Sequence, residues 1–106
     1  MNAAAFIKEV KSGKIDIVEH THNVLEEVKK INSKYNYLNT ISEDLALSSA
    51  KSLKKNPKGR LAGLPITVKD CICVKGVETT AGSAILRGYK PLFNATVIDK
   101  AIKKAQ

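Results

Sequence analysis

Tryptophan is absent from this chain, and two phenylalanines and three tyrosines are its whole aromatic complement. A core built from such a sequence has no large anchors and must be assembled from Ile, Leu, Val and Ala. Cysteine is scarce too. Cys71 and Cys73, two positions apart, make no disulfide framework, which points to a reducing compartment. The pair also falls short of a closed zinc site, which needs four ligands, and reads as packing residues. The only histidines, His20 and His22, sit two apart on an expected helix and so face different directions. No run approaches the roughly 20 apolar residues that a membrane-crossing helix requires. The opening Met1-Asn2-Ala3-Ala4-Ala5-Phe6-Ile7-Lys8 reaches charge too early for a signal peptide. A cytoplasmic location without membrane contact is expected.

Acidic residues are the minority, 10 against 18 basic ones, for a formal charge of +8. Such an excess raises the question of nucleic acid. The lysines, however, are strung out: Lys8, Lys11 and Lys14, then Lys29, Lys30 and Lys34, then Lys51 to Lys58, then Lys100, Lys103 and Lys104. That is the pattern of solvated helix faces. Arginine is limited to Arg60 and Arg87, and no aromatic residues alternate with the charges to stack on bases. The 106 residues fit one small domain, and 43% hydrophobic content suffices for a core.

Periodicity and punctuation divide the chain into six elements and one helical turn. Asn2 to Lys11 reads as a short helix with Ala5, Phe6 and Val10 near one side, broken at Gly13. Asp16 is a good N-cap with Glu19 as its capping-box partner. Behind it Ile17, Thr21, Val24, Val28 and Ile31 recur at helical spacing, so a second helix is expected from Asp16 to about Asn32. The alternation from Tyr35 to Ile41 reads as a short strand. Ser42, with Glu43 and Asp44 behind it, opens a third helix to about Lys55, and Asn56-Pro57-Lys58-Gly59 breaks the chain. Leu61 to Val68 reads as a second strand. Gly76 marks a turn, and Ser83 reads as the cap of a helical turn at Ala84-Ile85-Leu86 rather than as a nucleophile, since no histidine accompanies it. The last helix, Ala95 to Ala105, is capped by Asn94, carries Val97, Ile98, Ala101 and Ile102 on one face, and has no C-cap. This order predicts an α/β fold, the first layer of a larger mixed β-sheet covered by α-helices.

Lys69 stands out because it ends an apolar run, Leu61-Ala62-Gly63-Leu64-Pro65-Ile66-Thr67-Val68, where an ammonium is hard to justify. Two readings are open. If the strand continues, Thr67, Lys69 and Cys71 share one face, and a desolvated amine there becomes a candidate base. If the strand stops at Val68, Lys69-Asp70 begins a solvated turn.

The stretch Gly63-Leu64-Pro65-Ile66-Thr67-Val68-Lys69-Asp70, followed by Val74 to Ser83 and by Asn94-Ala95-Thr96-Val97-Ile98, resembles the start of an amidase signature protein. Within that family it is most similar to the A subunits of glutamyl-tRNA(Gln) amidotransferases, archaeal ones in particular. In the family the pattern Gly-x-Pro-x-x-x-Lys-Asp carries the catalytic lysine, and Lys69 occupies that position. The resemblance implies a Ser, cis-Ser, Lys triad in which the lysine draws a proton, through a bridging serine, from the serine that attacks an amide carbon. Family members commonly carry Asn where Cys71 stands. Both serines are expected beyond Gln106, so residues 1–106 are expected to be the N-terminal part of a single amidase domain, truncated before them and inactive alone.

For a whole protein of this kind the resemblance implies glutamine hydrolysis. Ammonia passes to a B subunit that converts Glu-tRNA(Gln) to Gln-tRNA(Gln), and a small C subunit completes a heterotrimer. No cofactor or metal is expected in this chain; ATP and magnesium belong to the partner subunit, which would also hold the tRNA. Two alternatives stay open, another amidase signature hydrolase acting on a small amide, and a noncatalytic basic interaction module.

Overall fold

The computed structural model of the protein describes all 106 residues, in four α-helices and one short 3-10 turn. Helix α1, Ala3–Lys11, begins where the Asn2 side chain accepts the Ala5 N–H at 2.9 Å. Helix α2, Ile17–Tyr35, begins at Asp16, whose carboxylate accepts the Val18 and Glu19 N–H groups at 2.8 and 3.2 Å. Both caps satisfy amide donors that a helix start leaves unpaired. Helix α3, Glu43–Lys54, has Glu43 and Asp44 in its first turn, where negative charge complements the helix dipole. The Ser42 side chain, expected as its cap, makes no capping bond.

Two ion pairs fix the direction of α2 against α3. Lys54 at the end of α3 meets Asp16 at the start of α2 at 2.8 Å, and Glu43 at the start of α3 meets Lys29 at 2.9 Å. The two helices therefore run antiparallel. Surface pairs weigh little beside apolar packing, and the packing lies at the end of the Asp16–Lys54 pair. Phe6 and Val10 of α1, Ile17 of α2 and Ala50 of α3 are buried together, with Ile15, Leu53 and Leu64 against them. Phe6 also lies against the His20 ring, centroid to centroid 4.6 Å.

The expected mixed sheet is not present in these residues, which form no β-strand. At the first expected strand the cause is local. Helix α2 runs past Asn32 to Tyr35, because Asn32 folds forward and binds both backbone groups of Leu38, at 2.7 and 3.0 Å, instead of ending the helix. Asn36 then turns the chain in the left-handed region, φ 53°, a conformation asparagine tolerates. At the second, Pro65 to Val68 make no hydrogen bond with any other backbone group. A strand exists only through a partner, and none of these residues supplies one.

Helix α4, Thr96–Ala105, starts after Asn94, whose side chain does not cap it but accepts the Lys75 N–H at 2.7 Å and donates to Asp99 at 3.1 Å. Its far end does have a partner: the Leu61 N–H donates to the Lys104 carbonyl at 2.9 Å. That bond needs the preceding loop to come very close, and a Cβ on Gly59 would overlap the backbone of Lys104 and Ala105. Gly63, at φ +73°, is less tightly held, since a Cβ there would lie 2.9 Å from the Ile17 side chain rather than against backbone. Gly59→Ala should therefore destabilise the protein by about 1–3 kcal/mol, because backbone cannot move aside as a side chain can. Urea unfolding followed by circular dichroism measures this, and an unchanged midpoint would rule the contact out.

Candidate functional site

Residues 73–79 and 89–95 run antiparallel, joined by bonds from the Ala95 N–H to Cys73, the Gly76 N–H to Pro91 and the Thr79 N–H to Tyr89, each 2.9–3.0 Å. Between them a loop carries the 3-10 turn Ala84–Leu86; the Ser83 hydroxyl accepts the Ile85 N–H at 3.4 Å. This loop leans on the turn that holds Lys69.

Lys69 lies at the first position of that turn, its carbonyl accepting the Ile72 N–H at 2.9 Å. Of the two readings open from sequence, the turn is the one observed. Thr67, Lys69 and Cys71 are all exposed, while Val68, Asp70 and Ile72 are partly covered, so the alternation persists without a sheet. The apolar surroundings expected around the amine are not found within these residues. Cys73 is half-buried, its carbonyl committed to α4, and His20 and His22 lie on α2, away from both cysteines in the chain.

The organising group of the site is the neighbour of Lys69. One Asp70 oxygen accepts the Thr80 N–H at 2.9 Å; the other accepts both the Thr80 hydroxyl and the Asn39 amide, the latter at 3.0 Å. The Asp70 carbonyl accepts the Ala81 N–H at 3.1 Å. A single residue thus ties together the segment after α2, the lysine turn and the Thr79-Thr80-Ala81-Gly82 loop. Ala81 and Gly82 both take positive φ, +50° and +74°, to wrap around it. Alanine, unlike asparagine, rarely takes that conformation unless its surroundings enforce it. The hydrogen bonds from Thr80, then from Asn39, hold the Asp70 carboxyl below its ordinary value, against the opposing effect of partial burial. Beside this clamp opens a polar hollow of about 490 Å³, lined among others by Asn39, Thr80, Ser83 and Arg87. Its walls offer amide and hydroxyl groups with one carboxylate, Glu78, and one guanidinium, Arg87, a mixed lining suited to a polar ligand.

Sequence reasoning singled out Lys69 and passed over Asp70, Asn39 and Thr80 as working residues. The available signal was an acidic side chain in a turn with a Thr-Thr-Ala-Gly segment ten residues later, a pattern able to surround a carboxylate with donors.

Comparison with known proteins gives this arrangement a family. The amidase family model matches residues 19–105. The A subunit of the glutamyl-tRNA(Gln) amidotransferase of Methanosarcina mazei is 44% identical over 103 residues, covering 96% of this chain and 21% of that protein. The protein of the same name from Thermoanaerobacter pseudethanolicus is 35% identical, covering 90% of this chain and 20% of its own length. The mitochondrial one from Bos taurus is 39% identical, covering 89% and 19%. Among solved structures, a chain from a vestigial protein complex, reported as revealing the evolutionary origins of an s-triazine catabolic enzyme, superimposes with a TM-score of 0.90. That alignment covers 99% of this chain and 24% of the other at 22% identity, and it speaks for the fold alone. This chain belongs to the amidase family. It spans about a fifth of the length of the curated relatives it matches.

Because its folded pKa is lowered, Asp70 contributes stability that is fully present above the unfolded value of 3.8 and is lost as pH falls through the lower folded value. Asp70→Asn should lower the thermal midpoint at pH 7 and flatten the dependence on pH between 4 and 2. Melts across that range check both, and equal midpoints at pH 7 would contradict the clamp.

Proposed function

We propose that this chain is the lysine-bearing portion of a glutaminase, the A-subunit component of a tRNA-dependent amidotransferase. The reading is carried by one observation. Gly63-Leu64-Pro65-Ile66-Thr67-Val68-Lys69-Asp70 lies inside the segment that matches the amidase family, with its lysine exposed at a turn that Asp70 anchors. The names borne by the relatives from Methanosarcina mazei, Thermoanaerobacter pseudethanolicus and Bos taurus supply the particular reaction.

In this reading Lys69 is the base of a Ser, cis-Ser, Lys triad. A serine hydroxyl attacks the side-chain amide carbon of glutamine and its proton passes through the bridging serine to the lysine; that proton is then delivered to the amide nitrogen, the C–N bond breaks and ammonia leaves. Water then hydrolyses the acyl-enzyme to glutamate. Both serines belong to parts of the family sequence outside the segment matched here, so the 106 residues alone release no ammonia. Conversion of Glu-tRNA(Gln) to Gln-tRNA(Gln), with ATP and magnesium, falls to a B subunit, and a C subunit completes the assembly in the cytoplasm.

Ammonia release from glutamine by the purified chain should match a buffer blank. In a chimaera that carries these residues in place of the matching segment of the Methanosarcina mazei protein, assembled with B and C subunits, glutaminase activity should be present. Lys69→Ala should then lower it by about a thousandfold or more, the scale set by loss of one member of such a triad. Activity that survives Lys69→Ala would refute the assignment of the base.

A further inference from the structure

Lysines that are strung out along the sequence come together in space. Helix α3 ends with Lys51 and Lys54 in its last turn, and residues 55–60 carry the chain from there onto the last turn of α4, which holds Lys103 and Lys104. The approach is close: the Leu61 N–H donates to the Lys104 carbonyl at 2.9 Å, and Gly59 lies against the backbone of Lys104 and Ala105. Lys58 and Arg60, on either side of that glycine, therefore stand beside Lys103 and Lys104, with Lys55 and Lys51 on the α3 side.

Lys51, Lys55, Lys58, Arg60, Lys103 and Lys104 are all exposed, and none of them forms an ion pair. No acidic residue lies between Asp44 and Asp70, or after Asp99, to answer them. Of the basic residues here only Lys54 is paired, with Asp16. Lysines in a last turn ordinarily offset the helix dipole, but a helix end carries only about half a negative charge. Two such ends leave most of these six cations unanswered. Nor is this surface that a larger fold covers with its core, because lysine and arginine heads are almost never buried without partners.

The chemistry of the patch selects its partner. Protein interfaces are depleted of lysine at their centres and built on apolar anchors, whereas interfaces with nucleic acid are polar and strongly positive. Within residues 51–60 and 100–105, Ile102 is the one exposed large apolar side chain. Five of the six cations are lysines, compact charges that suit phosphate, and no aromatic ring stands among them to stack on a base.

We infer that the joined ends of α3 and α4 form a contact surface for the phosphate backbone of RNA, held by charge and without reading of sequence. The choice of RNA rests on the amidotransferase reading, in which the substrate is carried by a tRNA. The surface itself is separate from the site described above: none of its residues belongs to the Asp70 clamp or lines the hollow beside it.

The test is fluorescence anisotropy of labelled, unfractionated tRNA titrated with the purified chain. Binding should fall in the range of about 1–100 μM at 50 mM KCl and weaken by about thirtyfold or more at 200 mM, as release of counterions from four phosphates requires. Lys58→Gln with Arg60→Gln, and Lys103→Gln with Lys104→Gln, in chains still folded by circular dichroism, should each weaken binding by about tenfold and lower the salt slope by about two. Lys30→Gln with Lys34→Gln removes the same charge from the opposite end of the α2 and α3 pair and should change binding by less than about twofold. Equal losses from all three pairs would reduce the effect to net charge and overturn the proposal. So would binding indifferent to salt, poly-glutamate bound as tightly as tRNA at equal charge, or phosphatidylserine vesicles bound while tRNA is not. No ammonia is measured, so tRNA binding by a chain whose chimaera hydrolyses no glutamine would count against the glutaminase reading alone. An active chimaera whose chain binds no tRNA would count against this inference alone.

Discussion

The carboxylate of Asp70 does for the second half of this chain what the Phe6, Val10, Ile17 and Ala50 core does for the first. Residues 65–95 contain no α-helix and almost no buried side chains, so apolar packing cannot fix their path. Hydrogen bonds replace it: one acceptor takes three donors from segments 31 and 10 residues away, and backbone bonds join residues 73–79 to 89–95. Bonds to an ionised acceptor are shorter and stronger than neutral ones, which is why a single residue can hold a loop that includes a strained Ala81. Lys69 is placed by consequence: it occupies the first position of the turn whose second residue is the clamp.

The helices were legible from sequence because their causes are local. Asp16 caps α2 as expected, Asn2 and Gly13 bracket α1, and the break at Asn56 to Gly59 falls where proline and glycine put it. Of the expected stripe, Ile17, Thr21, Val24 and Val28 turn towards neighbours, while Ile31 is exposed. Boundaries went astray where a side chain had more than one use. Asn32 was expected to end α2 and instead stays inside it while bonding Leu38; Asn94 was expected to cap α4 and instead fastens Lys75. An asparagine announces a local hydrogen bond without saying to which backbone group.

The strands were misread for a different reason. Helical bonds close within one segment, whereas strand bonds need a second segment. The alternation around Lys69 survives in its burial pattern, Thr67, Lys69 and Cys71 out and Val68 and Asp70 turned in, yet no neighbour completes a ladder. The hub at Asp70 escaped for a related reason, since its partners Asn39 and Thr80 are remote in sequence and ordinary in composition. The chain matches the amidase family over about a fifth of its relatives' length, and its backbone superimposes on 24% of a larger chain.

What remains most exposed to direct measurement is the clamp, on which the placing of Lys69 depends. Residue-resolved amide hydrogen exchange at pH 6 reads it without any substitution. The Thr80 and Ala81 amides, bonded to the Asp70 side chain and carbonyl in a loop with little buried surface, should exchange markedly more slowly than the unbonded amides of Ile66 and Thr67. Thr80 and Ala81 exchanging as fast as those two would show that Asp70 does not hold the loop, and the account built on it would fall.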